Sequence, residues 1–343
     1  MVELFGSSLA EARRRVGGLT QVSRIESVVE TEGRARGARR LRMVNGGGLE
    51  IDIYPDQCLD IGQVTVNGMP IAWLAPQGVS APAFREPSGN GWLRTFGGGL
   101  LVTCGLDTFG PPSDDGEDFG LHGRIGTEPA QVTTVKSDSE RVVVEGIVRQ
   151  SRMFGENLTL RRRISSALGS TCFVVEDVVT NEGFSEAPHM ILYHANLGWP
   201  LIDEGAFLDV TSTSVEARDD VAQRRIETWA EIGPPTPGWQ EQVFRHSFAN
   251  GGQATAAVEN RGRDAAFRLR FNSERLPWLY QWKMLGEGTY VLGVEPSNCS
   301  TLFGRASARA SGVLPLLRAG ESVSYRLEFS LEHHSQARRF AES

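Results

Sequence analysis

Apolar and polar residues alternate along much of this chain, which puts successive side chains on opposite faces of extended strands. Leu49-Glu50-Ile51-Asp52-Ile53 has period two, and so does Ser324-Tyr325-Arg326-Leu327-Glu328-Phe329. Val64-Thr65-Val66 runs into Asn67-Gly68, a two-residue hairpin turn, and resumes at Pro70-Ile71-Ala72-Trp73. Arg141 to Glu145 and Phe173 to Val179 are rich in β-branched residues, which fit a pleated surface. Helical spacing is rare. Ser7 or Ser8 caps a short predicted helix through Leu9, Ala10, Ala12 and Val16, which Gly17-Gly18 ends. Val221, Ala222, Ile226, Trp229 and Ala230 share one face of a second helical stretch, which Pro234-Pro235 stops. Many short strands with frequent turns and little helix predict an all-β sandwich or barrel. No Pro-, Ser- or charge-rich linker and no internal repeat divides the chain. Residues 23–343 therefore read as one sandwich domain behind a helical extension, residues 1–22.

Composition narrows the function. The 343 residues are 40% hydrophobic and 22% charged, enough apolar material for a large core. A net charge of −7 argues against a nucleic-acid partner, which needs a basic face. The local basic runs Arg13-Arg14-Arg15 and Arg161-Arg162-Arg163 read as solvated surface. No stretch reaches the ~20 apolar residues of a membrane span, so no membrane partner is expected. Residues 1–19 carry charge and lack the apolar run of a signal peptide. Cys58, Cys104, Cys172 and Cys299 lie far apart, with no CxxC pair, so neither a zinc motif nor a disulfide framework is suggested. A cytoplasmic protein is the expectation.

Ionisable residues crowd against glycine and aromatic residues in four segments. His194 and His189 flank the apolar Met190-Ile191-Leu192-Tyr193, and their odd spacing turns them to opposite faces of a continuous strand. His194 then shares a face with Asn196, near a possible rim at Gly198-Trp199-Pro200. An isolated histidine in such a place is more often a hydrogen-bonded structural residue than a catalyst. Glu295 follows the apolar Tyr290 to Val294 and precedes Pro296, so part-burial would raise its pKa toward that of a useful base. His122 and Arg124, two residues apart beside glycines, suit oxygen-rich ligands; a loop salt bridge to Glu117 or Asp118 is the bland alternative. Arg94 precedes Gly97-Gly98-Gly99, which matches no phosphate loop. Trp199, Trp278 and Trp282 can stack on a sugar ring or fill a core. Gln281 and Lys283 share one strand face, available to a hydroxyl or acidic substituent, or simply exposed.

Six segments taken in order resemble the aldose 1-epimerase superfamily, with its galactose mutarotase-like β-sandwich, and most closely a poorly characterised bacterial branch. They are Leu59-Asp60-Ile61-Gly62, Trp92 to Leu101, Thr103-Cys104-Gly105-Leu106, Leu121-His122-Gly123-Arg124, Tyr193 to Pro200, and Glu295-Pro296-Ser297-Asn298. The likeness runs from about Gly48 to Phe329. It implies that His194 is the general acid that protonates the sugar ring oxygen. It implies that Glu295 is the base that takes the C1 hydroxyl proton, and that His122 helps bind or polarise the ring oxygen. Arg94 and Arg124 would contact hydroxyls or an anion. The implied ligand is a small sugar or sugar derivative, and no metal or other cofactor is implied. The aromatic pair that follows the histidine in typical galactose mutarotases is missing here. The acidic residue that reads sugar hydroxyls has three candidates in Asp60, Asp107 and Asp203, so the resemblance does not single out galactose as the substrate. Two other readings compete: a metal-dependent isomerase using His122, His189 and His194, and a non-catalytic carbohydrate-binding sandwich.

Overall fold

The computed structural model describes residues 2–248 and 251–333. Two large antiparallel sheets face each other across one apolar core. The first has eight strands, in the order Gln131–Ser137, Arg141–Ser151, Asn157–Ala167, Cys172–Asn181, Ser322–His333, Ala265–Asn272, Gln253–Asn260 and Phe207–Val210. The second has eleven. Its centre runs Gln242–Ser247, Trp278–Gly286, Thr289–Ser297, Leu192–Leu197, Leu101–Cys104 and Asp60–Val66. Tyr193, Leu292 and Val294 of the second sheet belong to the same buried cluster as Val175, Leu327 and Phe329 of the first. Fully burying one such side chain stabilises by roughly 1.5–3 kcal/mol, so this interface holds the sandwich together.

The alternating segments form strands where expected: Leu49–Tyr54, Arg141–Ser151, Cys172–Asn181 and Ser322–His333. Asn67 and Gly68 turn the chain at φ of 48° and 80°, the left-handed pair that a two-residue hairpin requires. Both helical expectations overshoot. Ser8 and Glu11 form a capping box, but the helix covers only Leu9–Arg13 and buries no residue. With no apolar face to dock, nothing carries it on to Val16. The second stretch breaks into Asp220–Gln223 and a 3-10 turn at Ile226–Thr228, with only Ala222 and Ala230 of its apolar face buried. Among the described residues no helix is long and apolar enough to cross a membrane. The sequence also sets His333 and His334 side by side near the C-terminus, where a solvated pair is expected; His334 lies outside the described residues.

The Arg161-Arg162-Arg163 run is not simply solvated surface. Period two leaves Arg161 exposed and turns Arg162 into the core, fully buried. There its Nε and Nη2 donate to the two Asp177 oxygens at 2.9 and 2.7 Å, and Nη1 donates to Asp60 Oδ1 at 3.0 Å. Tyr193 donates its hydroxyl to Asp177 at 2.8 Å, and Thr103 donates backbone N–H and hydroxyl to Asp60 at 3.0 and 2.6 Å. Two carboxylates around one guanidinium, each with further donors, satisfy what would otherwise be a costly buried charge.

Candidate active site

The outward face of the eleven-stranded sheet carries a second buried ionisable group, centred on adjacent strands. The register that pairs Ala195 with Val294 and Leu192 with Ser297 places His194 opposite Glu295. His194 Nε2 lies 3.4 Å from Glu295 Oε1, and both residues are almost fully buried. The two atoms are not aligned as a hydrogen bond: Glu295 Oε1 and His194 Nδ1 are both left without a partner. Gly293 makes room for this carboxylate. A Cβ there would meet Glu295 Oε1 at 2.3 Å and Trp282 Cβ at 2.8 Å.

His122 completes the floor. It arrives on a loop, at φ of 61°, held by its own N–H to Gly110 O at 2.8 Å and by Gly105 N–H to its carbonyl at 3.1 Å. The next residue must be glycine, because at φ of 73° a Cβ would meet Gly105 O and Thr108 O at 2.5 Å. The His122 and His194 rings stand nearly perpendicular, 5.7 Å apart, and His122 Nδ1 is also unpartnered. Together with Glu295 they open into a cavity of about 570 Å³. Its walls include Trp73, Trp92, Phe96 and Trp282. Trp92 and Phe96 stack at 4.0 Å, and Trp282 meets the His194 ring edge-on at 5.5 Å.

Burial sets the proton affinities. It drives the Glu295 carboxyl well above its usual range; Glu241 at the cavity wall pushes further, and Arg218 pulls back. Burial drives His194 well below the usual imidazole value, with the neighbouring His122 adding to the effect and Asn196 opposing it. Burial alone lowers His122 to about 4. Unpaired buried groups with displaced proton affinities, gathered at a cavity, are where chemistry is to be sought.

The family profile "Domain of unknown function (DUF4432)" matches residues 35–331. The chain belongs to this family. No curated protein matches it by sequence. Among solved structures it is similar to a candidate aldose 1-epimerase of Klebsiella pneumoniae, at 28% identity and a TM-score of 0.85, over 93% of this chain and 87% of that one. A galactose mutarotase-like protein of Clostridium acetobutylicum matches at 16% identity and a TM-score of 0.66, over 92% and 100% of the two chains. Galactose 1-epimerase of Lactobacillus acidophilus matches at 11% identity and a TM-score of 0.59, over 91% and 100%. This DUF4432 chain thus has the galactose mutarotase-like sandwich fold of the aldose 1-epimerase superfamily.

Not every residue singled out in the sequence reaches the cavity. Glu295, His194, His122 and Trp282 do. Arg94 is exposed and tied to Glu86, its Nε donating at 2.8 Å. Arg124 pairs with Glu156 rather than with Glu117 or Asp118; Glu117 bonds Arg152 instead. Gln281 and Lys283 do share a face, but it is the inward one, because Trp282 between them faces out. Gln281 donates to Trp229 O at 2.7 Å, and Lys283 donates to Thr228 O at 2.9 Å. They anchor the 226–230 segment from the buried side of the sheet. His189 turns inward to Leu106 O at 3.0 Å and the Tyr325 hydroxyl at 2.8 Å, so His122, His189 and His194 do not converge on one point. Asp60, Asp107 and Asp203 lie on Arg162, Gln150 and Arg263, away from the cavity. Trp199 and Trp278 sit under Arg263 and Arg245. The sequence reading missed Trp92 and Phe96 as walls, although their spacing of four on the Trp92–Thr95 helical turn was a usable signal. Nothing local marks Arg218 and Glu241, which meet only in the folded chain at 2.8 Å.

Proposed function

We propose that this cavity interconverts the anomers of a sugar by acid–base ring opening, without metal or nucleotide. Glu295 takes the proton from the C1 hydroxyl while His194 gives one to the ring oxygen. The C1–ring oxygen bond breaks, C1 becomes an aldehyde, and rotation about C1–C2 precedes the reverse reaction on the other face. His122 supports the ring oxygen beside His194. The observation that carries this reading is the His194–Glu295 pair: an acid–base couple 3.4 Å apart, buried, unpartnered and open to a cavity.

Proton bookkeeping is consistent with it. Burial in the empty site favours protonated Glu295 beside neutral His194. That arrangement holds the same single proton as carboxylate beside imidazolium, the form the reaction starts from. A bound sugar brings a hydroxyl donor to the carboxylate and a ring oxygen acceptor to the imidazolium, and both favour the ionic form. The pair titrates as a unit, so activity belongs to its one-proton state.

Anomer exchange followed by NMR over neutral, acidic and phosphorylated sugars tests the proposal, with wild type set against Glu295→Gln and His194→Ala. Faster exchange of at least one sugar, lost in both variants, is the expected result. No acceleration of any sugar would leave a carbohydrate-binding sandwich as the better reading.

A further inference from the structure

Beyond the acid–base floor, the cavity has little that is free to read hydroxyls. Trp92 and Phe96 stack on one side of His194, at ring distances of 6.3 and 5.6 Å from it, while Trp282 closes another side at 5.5 Å. Trp73 fills the corner between Phe96 and Trp282, at 5.9 and 6.2 Å. An ordinary sugar ring stacks its C–H face on one aromatic ring and turns its hydroxyl edge to polar groups. Aromatic rings on several sides confront that edge as well.

The polar side chains of the wall are largely committed to the protein. Gln77 spends its amide N–H groups on the carbonyls of Leu93 and Phe96, at 3.1 and 2.6 Å. Arg218 donates Nε to Asp219 at 2.8 Å and lies 2.8 Å from Glu241 through Nη2. Glu241 also accepts the Trp282 indole N–H at 2.9 Å. The mouth is apolar too: Leu93 and Phe303 line it and are 57% and 56% exposed. A hydroxyl buried against such walls loses its water without gaining a partner.

We infer that the substrate is a deoxygenated aldose, one in which hydrogen replaces a hydroxyl, on a ring carbon or on C6, at the part of the sugar that meets Trp92, Phe96 and Trp73. This inference rests on the anomerisation reading for its reaction, but the walls alone carry the preference. The hydroxyls that remain face His122, His194 and Glu295 on the floor and Thr289 in the wall.

Matched pairs test it: galactose with 6-deoxygalactose, glucose with 6-deoxyglucose and 2-deoxyglucose, ribose with 2-deoxyribose. Anomer exchange gives kcat/KM for each, and saturation-transfer NMR gives binding without reference to turnover. The deoxy member of at least one pair is expected to be about 10- to 100-fold better, the range a single group commands in an apolar pocket. Parity, or preference for the hydroxylated member in every pair, overturns the substrate class and leaves the anomerase reading standing. Selective binding of a deoxy sugar without exchange overturns the reaction and keeps the class. Trp73→Gln and Trp92→Gln put hydroxyl partners into two of those walls, both at half-buried positions, and should shrink the preference at least threefold. An unchanged preference in both would remove the walls as its source.

Discussion

Tyr193 and His194 are consecutive residues of one strand, and each belongs to a buried ionisable cluster on its own side of the sheet. Inward, Tyr193 joins Arg162, Asp177 and Asp60, where the guanidinium meets both carboxylates at 2.7 to 3.0 Å. Outward, His194 and Glu295 approach to 3.4 Å without a hydrogen bond and leave acceptor and ring nitrogen unused. Burial is similar on both sides, so burial does not separate structure from chemistry. Saturation does. A cluster whose donors and acceptors are all spent can only hold the sheets together. One that leaves them open at a cavity can exchange protons with a ligand.

The contrast breaks most sharply in activity. Glu295→Gln or His194→Ala should cut anomer exchange by roughly 10²- to 10⁴-fold, with the double variant little worse than either single one. If either variant keeps near wild-type exchange, the outward cluster is not the catalytic one. The inward cluster should respond in stability instead. Arg162→Met strands Asp60 and Asp177 inside the sandwich, and urea unfolding should show a loss of about 3–5 kcal/mol. A loss below about 1 kcal/mol would mean that the network contributes little.

Proton linkage sharpens the difference further. His189 is buried and lowered to about 4, so as pH falls from 6.5 the unfolded chain takes up its proton before the folded one does. Stability present above pH 6.5 is therefore lost on the way down to about 4, by at most ~1.4 kcal/mol per pH unit from this group. His189→Gln should flatten the acid limb, and an unaltered slope in denaturation at pH 7, 6 and 5 counts against the assignment. Glu295 has the opposite sense: raised by burial, it contributes stability at low pH that fades as pH rises through its folded value. Glu295→Gln should thus match wild type in acid and exceed it in alkali. The smallest effect is expected at Arg94, exposed and paired with Glu86. Arg94→Ala should leave both the urea unfolding midpoint and the exchange rate unaltered.

Much of this was legible in the chain. Period two and Asn67-Gly68 predict strands and a hairpin that the fold contains, and the sequence singles out His194, Glu295 and His122, which the fold brings to one cavity. What failed was the assignment of faces. Gln281 and Lys283 share a face as alternation requires, yet it is the core face, while Trp282 alone looks into the cavity. The same parity took Arg162 out of an apparently solvated run and buried it against Asp177.

The sequence by itself determined which residues alternate, where the chain turns, and which side chains carry displaced protons once buried. Those are local properties, set by backbone sterics and side-chain chemistry. Tertiary structure decided which side of each strand is the interior, that Arg218 meets Glu241, and that Trp92 and Phe96 wall His194. Alternation is symmetric between the two faces of a strand. Only the packing of one sheet on the other breaks that symmetry.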